Sequence, residues 1–121
     1  DPFESGVRAA LNLGHTIGHA VEIASLFKLR HGEAVSIGMV AEARLAVKLG
    51  MAEAELVEQI KSNLLGLGLP VDVPDDLPRD VIFNAMRVDK KKDGSFIKFA
   101  LPVAIGKVKV GVPIANLEEV L

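Results

Sequence analysis

Apolar residues recur at helical spacing through most of this chain. From Glu4 to about Ser25, Ala9, Ala10, Leu13, Ile17, Ala20, Val21 and Ala24 fall on one face, which predicts an amphipathic helix. His31 to Gly50 predicts a second helix. Glu33 is a carboxylate suited to its first turn, and Gly50 is placed to cap its end. Apolar residues cover nearly every face of this second helix (Val35, Ile37, Met39, Val40, Leu45, Val47), as expected of a central, buried element. Ala52 to Leu65 predicts a third, amphipathic helix closed by Gly66 and Gly68, and Pro70 to Pro78 a loop. Pro78 to Val88 predicts a fourth helix, with proline in its first turn, followed by a polar turn at Lys91 to Gly94. Partial alternation over Phe96–Leu101 and Lys107–Val112 predicts two short strands joined through Pro102 to Gly106. Ile114 to Leu121 predicts a last short helix, with Asn116 a candidate cap. The fold class expected is mainly α, with a small β-hairpin near the C-terminus.

The polar residues of the first helix are less evenly spread than its apolar ones. With Asn12 as the origin, Arg8 falls at about −40°, His15 at about −60° and His19 at about −20°, a stripe about 60° wide. Two readings fit. The stripe is a satisfied hydrogen-bond network or solvent face, or it is the wall of a pocket for an anionic ligand and a metal. All three histidines of the chain lie in GHTIGH (14–19) and HGE (31–33), in otherwise apolar sequence, which favours a buried pocket. His15 and His19 are not the metalloprotease pair, because Thr16 stands where that signature needs glutamate.

The metal reading makes a structural demand. In a tight helical hairpin, His31 would pack near residues 24–28, about 16 Å along the axis from His15. For the two to share an ion, the first helix must end by about Ser25. Leu26 to Arg30 must then run back along it, at about 3.3 Å per residue.

Composition narrows the function further. The 121 residues, half of them hydrophobic, suit one domain with a modest core. A net charge of −2 gives no reason to expect nucleic acid or an anionic membrane as partner. Without cysteine there are no disulfides and no thiolate zinc sites, which fits a cytoplasmic protein. No apolar run reaches the roughly 18 residues of a membrane span, and no signal peptide is visible. The opening Asp1-Pro2-Phe3-Glu4 lacks an initiator Met and runs straight into a helical pattern. We expect a piece of a longer protein; Met removal or trimming is the simpler alternative.

The run Arg8-Ala-Ala-Leu-Asn12-Leu-Gly14-His15-Thr-Ile-Gly18-His19-Ala20-Val-Glu22, then His31-Gly32-Glu33-Ala34-Val35 and Gly38-Met39, resembles the C-terminal domain of the 3-dehydroquinate synthase family. Asp89-Lys90-Lys91, Gly94, Phe96, Leu101-Pro102 and Ile105-Gly106-Lys107 continue the resemblance in the same order over nearly the whole chain. It implies one metal- and substrate-binding helical domain over residues 1–121, part of a lyase that converts the sugar-acid phosphate DAHP to 3-dehydroquinate and phosphate in the shikimate pathway. The implied steps are transient oxidation by NAD, phosphate elimination, re-reduction, ring opening and aldol closure, with a divalent metal (zinc or cobalt) polarising oxygen at the oxidised carbon.

Carried over residue by residue, the resemblance implies that His15 and His31 ligate the metal. His19 and Lys90 take catalytic, substrate-contacting roles on the phosphate side. Asn12 is a further phosphate-side contact, and Arg8 binds the substrate carboxylate, a job suited to its bidentate fork. Alone, Lys90–Lys92 reads as a solvated charge run, and Glu33 as a helix-start carboxylate without chemistry. The family's third metal ligand (a glutamate), its carboxylate-side lysine and its NAD-binding α/β domain lie upstream and are not in this chain. Gly66-Leu67-Gly68 lacks the spacing of a dinucleotide turn. The chain alone is therefore expected to bind metal weakly and to be inert, and the parent to be a homodimer. Other sugar phosphate cyclases (2-deoxy-scyllo-inosose or valiolone-type synthases), more distantly iron- or zinc-dependent polyol dehydrogenases, and a non-catalytic helical metal-binding or assembly module remain the alternatives.

Overall fold

A computed structural model describes residues 15–90, 97–104 and 107–114. In order these form α1 (His15–Ala24), α2 (His31–Lys48), α3 (Ala54–Gly66), α4 (Arg79–Lys90), β1 (Ile97–Ala104) and β2 (Lys107–Ile114). The mainly α class and the C-terminal hairpin are as expected. The part of the expected first helix before His15, the expected turn at 91–94, residues 105–106 and the expected last helix beyond 114 lie outside the described residues.

α2 is the axle of the domain, and the all-round apolar pattern follows from its two partners. One side packs Ala34, Ile37, Ala41 and Leu45 against Ile17, Ala20 and Val21 of α1, Ile82 and Met86 of α4, and Leu101, Val112 and Ile114 of the hairpin. The other packs Val40 and Ala43 against Leu56, Val57, Ile60 and Leu64 of α3 and Val71 of the following loop. Burial of this kind, at roughly 25 cal/mol per Å² of apolar surface, is what holds short helices that would be marginal alone. Glu42 is also wholly buried in mid-α2, which the apolar pattern did not announce. Ser36 ties α2 to the 70–78 loop by donating from Oγ to the Pro70 carbonyl (2.6 Å). At the start of α2, Glu33 accepts the Arg30 backbone N–H at 2.8 Å, which is the helix-start role read from its position.

Two strand expectations need correction. Pro102 lies within β1, opposite Val108, and not in the connection; the register shifts between Phe99 and Leu101 and again between Pro102 and Ala104. Such irregular stretches are where a two-stranded ribbon tolerates a residue with no N–H to give. Ile114 pairs with Ile97 as the end of β2, so it does not begin a helix.

Candidate metal- and substrate-binding face

α1 separates its residues by helical arithmetic. Taking His15 as the origin, His19 lies at about 40° and Glu22 at about −20°, while Ile17, Ala20 and Val21 lie between about 140° and 240°. The second group is the buried side (0–2% exposed). Of the polar stripe, His19 is described, and it lies on the side turned away from the core. His19 and His31 remain exposed, at 47% and 61% of their side chains. Among the described residues this face is therefore open at His19 and His31, the core-facing positions of α1 being taken by Ile17, Ala20 and Val21. A cleft of about 430 Å³ lies behind the 24–29 turn, lined in part by Ser25, Leu29 and Leu77, and among the described residues neither His19 nor His31 borders it.

The structural demand of the metal reading is met in its first part. α1 ends at Ala24. The Leu26 N–H donates to Ile23 O (2.9 Å) and the Phe27 N–H to Glu22 O (3.0 Å), the paired bonds of a Schellman cap. α2 and α3 end with the same pair of bonds, and there glycine (Gly50, Gly68) holds the left-handed position. In α1 that position is Leu26 (φ 57°), and Phe27 after it is left-handed too (φ 61°). Ser25 locks the turn, donating from Oγ to Glu22 O (2.8 Å) and accepting the Leu29 N–H (3.3 Å). The chain thus doubles back, and His31 reaches α1 with Nδ1 3.3 Å from Glu22 Oε1. His19 Nδ1 lies 3.8 Å from the same oxygen.

Two consecutive left-handed non-glycine residues are strained, at roughly 1–2 kcal/mol each. Leu26 is 78% exposed and gives little burial in return. Leu26→Gly is therefore expected to raise stability by up to about 1 kcal/mol, strain relief being partly offset by glycine's larger unfolded-state entropy. Chemical denaturation followed by circular dichroism checks this; a loss of stability would show that Leu26 packs usefully.

The structure brings together His19, His31 and Glu22. His15 opens α1 on the same helical face, but its side chain is outside the described residues, as is that of Lys90 at the end of α4; Arg8 and Asn12 also lie outside them. Among the described residues, no three His, Asp or Glu side chains converge as a metal-binding group. Glu22 and Ser25 were missed by sequence reasoning. Glu22 had a signal, since it sits seven residues from His15 and three from His19, on their face. Ser25 had none beyond its place at a helix end.

The family described as 3-dehydroquinate synthase C-terminal matches residues 1–92. The 3-dehydroquinate synthase of Synechococcus sp. is 43% identical over 124 residues, covering 100% of this chain and 34% of the relative. That of Nostoc punctiforme is 45% identical over 111 residues, covering 91% and 31%. The chain thus spans about a third of the length of these relatives. Among solved structures, a 2-deoxy-scyllo-inosose synthase complexed with carbaglucose-6-phosphate, NAD+ and Co2+ superposes with a TM-score of 0.76 at 28% identity, covering 86% of this chain and 31% of that one. A 2-epi-5-epi-valiolone synthase from Streptomyces hygroscopicus, with NAD+ and Zn2+ bound, shares the fold at a TM-score of 0.69 and 24% identity, covering 90% and 30%. By sequence and fold together, the chain belongs to the 3-dehydroquinate synthase family and corresponds to its C-terminal domain.

Proposed function

We propose that this chain supplies the metal- and substrate-binding face of a 3-dehydroquinate synthase, the NAD site and a third metal ligand coming from an upstream α/β domain. The observation that carries the proposal is the return of His31 to the polar face of α1, beside His19 and Glu22. That return was required for His15 and His31 to share an ion, and it is made through a strained turn that core packing alone does not explain.

The donor chemistry fits a divalent metal of the zinc or cobalt kind, for which imidazole nitrogen is an apt ligand. His15 and His31 would hold it, and when bound it would polarise an oxygen of the substrate. The chain's own residues would do the rest. Arg8 would grip the carboxylate of the sugar acid through two parallel hydrogen bonds. Asn12, His19 and Lys90 would bind the phosphate, and His19 would take the catalytic role there. Exposure of His19 and His31 fits a face that the upstream domain covers, since such electrostatic contacts strengthen once water is excluded.

The solved neighbour with carbaglucose-6-phosphate raises a second reading, an inosose-type cyclase acting on a sugar phosphate without a carboxylate. Identity of 43% to the dehydroquinate synthases against 28% to that neighbour favours the first. The test is release of inorganic phosphate by the full-length protein that carries this chain, given NAD+ and zinc, with DAHP or glucose 6-phosphate as substrate. Release from DAHP alone is expected, and none from the 121-residue chain by itself. Release from glucose 6-phosphate alone would overturn the assignment.

A further inference from the structure

We propose that Glu22 is a positioning residue: its carboxylate holds the His31 imidazole with the proton on Nδ1 and so presents Nε2 as the lone-pair donor to a divalent cation. The inference rests on reading His31 as a metal ligand. Its geometry stands on the described residues alone. Glu22 Oε1 is 3.3 Å from His31 Nδ1. The Glu22 side chain is only 13% exposed, although the ring it contacts is 61% exposed. A carboxylate accepts hydrogen bonds and has none to give, so this contact is a hydrogen bond only when Nδ1 carries the proton. In the neutral ring, Nε2 is then unprotonated and carries the lone pair.

An exposed imidazole left to water prefers its proton on Nε2, which would take up that nitrogen's lone pair. Glu22 reverses that preference. His19, at 3.8 Å from the same oxygen, is beyond hydrogen-bond range, so His31 has the first claim on it.

The backbone makes the arrangement hard to lose. The Glu22 carbonyl accepts both the Phe27 N–H and the Ser25 hydroxyl, the bonds that end α1 and begin the return toward His31. One residue thus closes the turn with its main chain and orients the returning ring with its side chain. Histidines that bind metals commonly donate their second nitrogen to a carboxylate or carbonyl, and losing that partner weakens metal affinity by about 10–100-fold.

Long-range proton–nitrogen-15 correlation spectra of the full 121-residue chain, without metal and about 1.5 pH units above the ordinary imidazole pKa, report the tautomer of each ring. His31 is expected mainly as Nδ1–H in the unsubstituted chain and mainly as Nε2–H in Glu22→Ala. Glu22→Gln, whose amide oxygen still accepts, should retain Nδ1–H, with helix content by circular dichroism unchanged in both variants. Zinc titration should then show the Kd of Glu22→Ala raised by about 10–100-fold, and that of Glu22→Gln by less. A His31 found as Nε2–H in the unsubstituted chain, or a tautomer indifferent to Glu22→Ala, would overturn the proposal while leaving His31 as a ligand if His31→Ala still loses zinc. A tautomer that responds as expected, with zinc affinity indifferent to His31→Ala, would instead remove His31 from the metal site and the cation part of the proposal with it.

Discussion

Replacing Gly18 with alanine is expected to destabilise the chain by about 2–3 kcal/mol, although the same change at an ordinary helix position stabilises. A Cβ built on Gly18 would meet Ala34 O at 2.9 Å, Val35 Cα at 3.0 Å and Ala34 C at 3.2 Å. All three are backbone atoms of α2, so no rotamer change relieves the overlap and the two helices must separate. Gly66, in the last turn of α3, is the control, since nothing lies within 4 Å of its built Cβ. There alanine should add about 0.5–1 kcal/mol through helix propensity. Urea denaturation of both variants gives opposite signs if the close approach of α1 and α2 is as described; a stabilised Gly18→Ala would refute it. The consequence is not confined to stability. Ala34 lies one turn into the helix that begins at His31, so prising α2 away from Gly18 also draws His31 from Glu22. The second glycine of GHTIGH is thus part of the site without touching a ligand.

That glycine shows where sequence reading succeeds and where it stops. Periodicity located four helices and a hairpin because each buries one face, and α2 was recognisable as central because it buries two. Pro102 and Ile114 were misplaced for the same reason: turn and cap chemistry says which residues suit an interruption, while strand pairing and the burial of Leu101, Val112 and Ile114 decide whether one occurs. The polar stripe was legible as a stripe. Its setting was not, because helical arithmetic fixes angles between side chains and says nothing of what lies opposite. Leu26 and Phe27 carry no composition signal at all: a left-handed turn made by leucine and phenylalanine looks, in sequence, like more helix. Only the end of the first helix by about Ser25 was foreseen, as a demand of the chemistry through the distance from His15 to His31; an extended return was expected, not a left-handed turn. Leucine at a position where α2 and α3 both use glycine keeps a strain that core packing does not require. On the reading of His31 as a metal ligand, that strain is what aims the residue five positions later.

In the full-length protein that carries this chain, His31→Ala and Arg8→Ala are expected to fail in different ways. Loss of a second-sphere partner already weakens metal binding by about 10–100-fold. Loss of a ligand should therefore cost on the order of 100-fold or more in metal affinity, and activity should fall in step with the metal content of the purified protein. Arg8→Ala should retain its metal. Its loss is that of charge-assisted hydrogen bonds to the substrate carboxylate, worth about 1.5–3 kcal/mol, or about 10–100-fold in KM for DAHP. Metal analysis beside steady-state kinetics separates the two. His31→Ala with normal metal content would remove the histidine from the metal site, and Arg8→Ala with unchanged KM would remove the arginine from the substrate. The Arg8 variant also weighs the two cyclase readings against each other. An enzyme whose substrate has no carboxylate has nothing for that guanidinium to grip, so a large KM effect confined to the acid substrate ties this chain's sequence to the chemistry of a sugar acid and not of a neutral sugar.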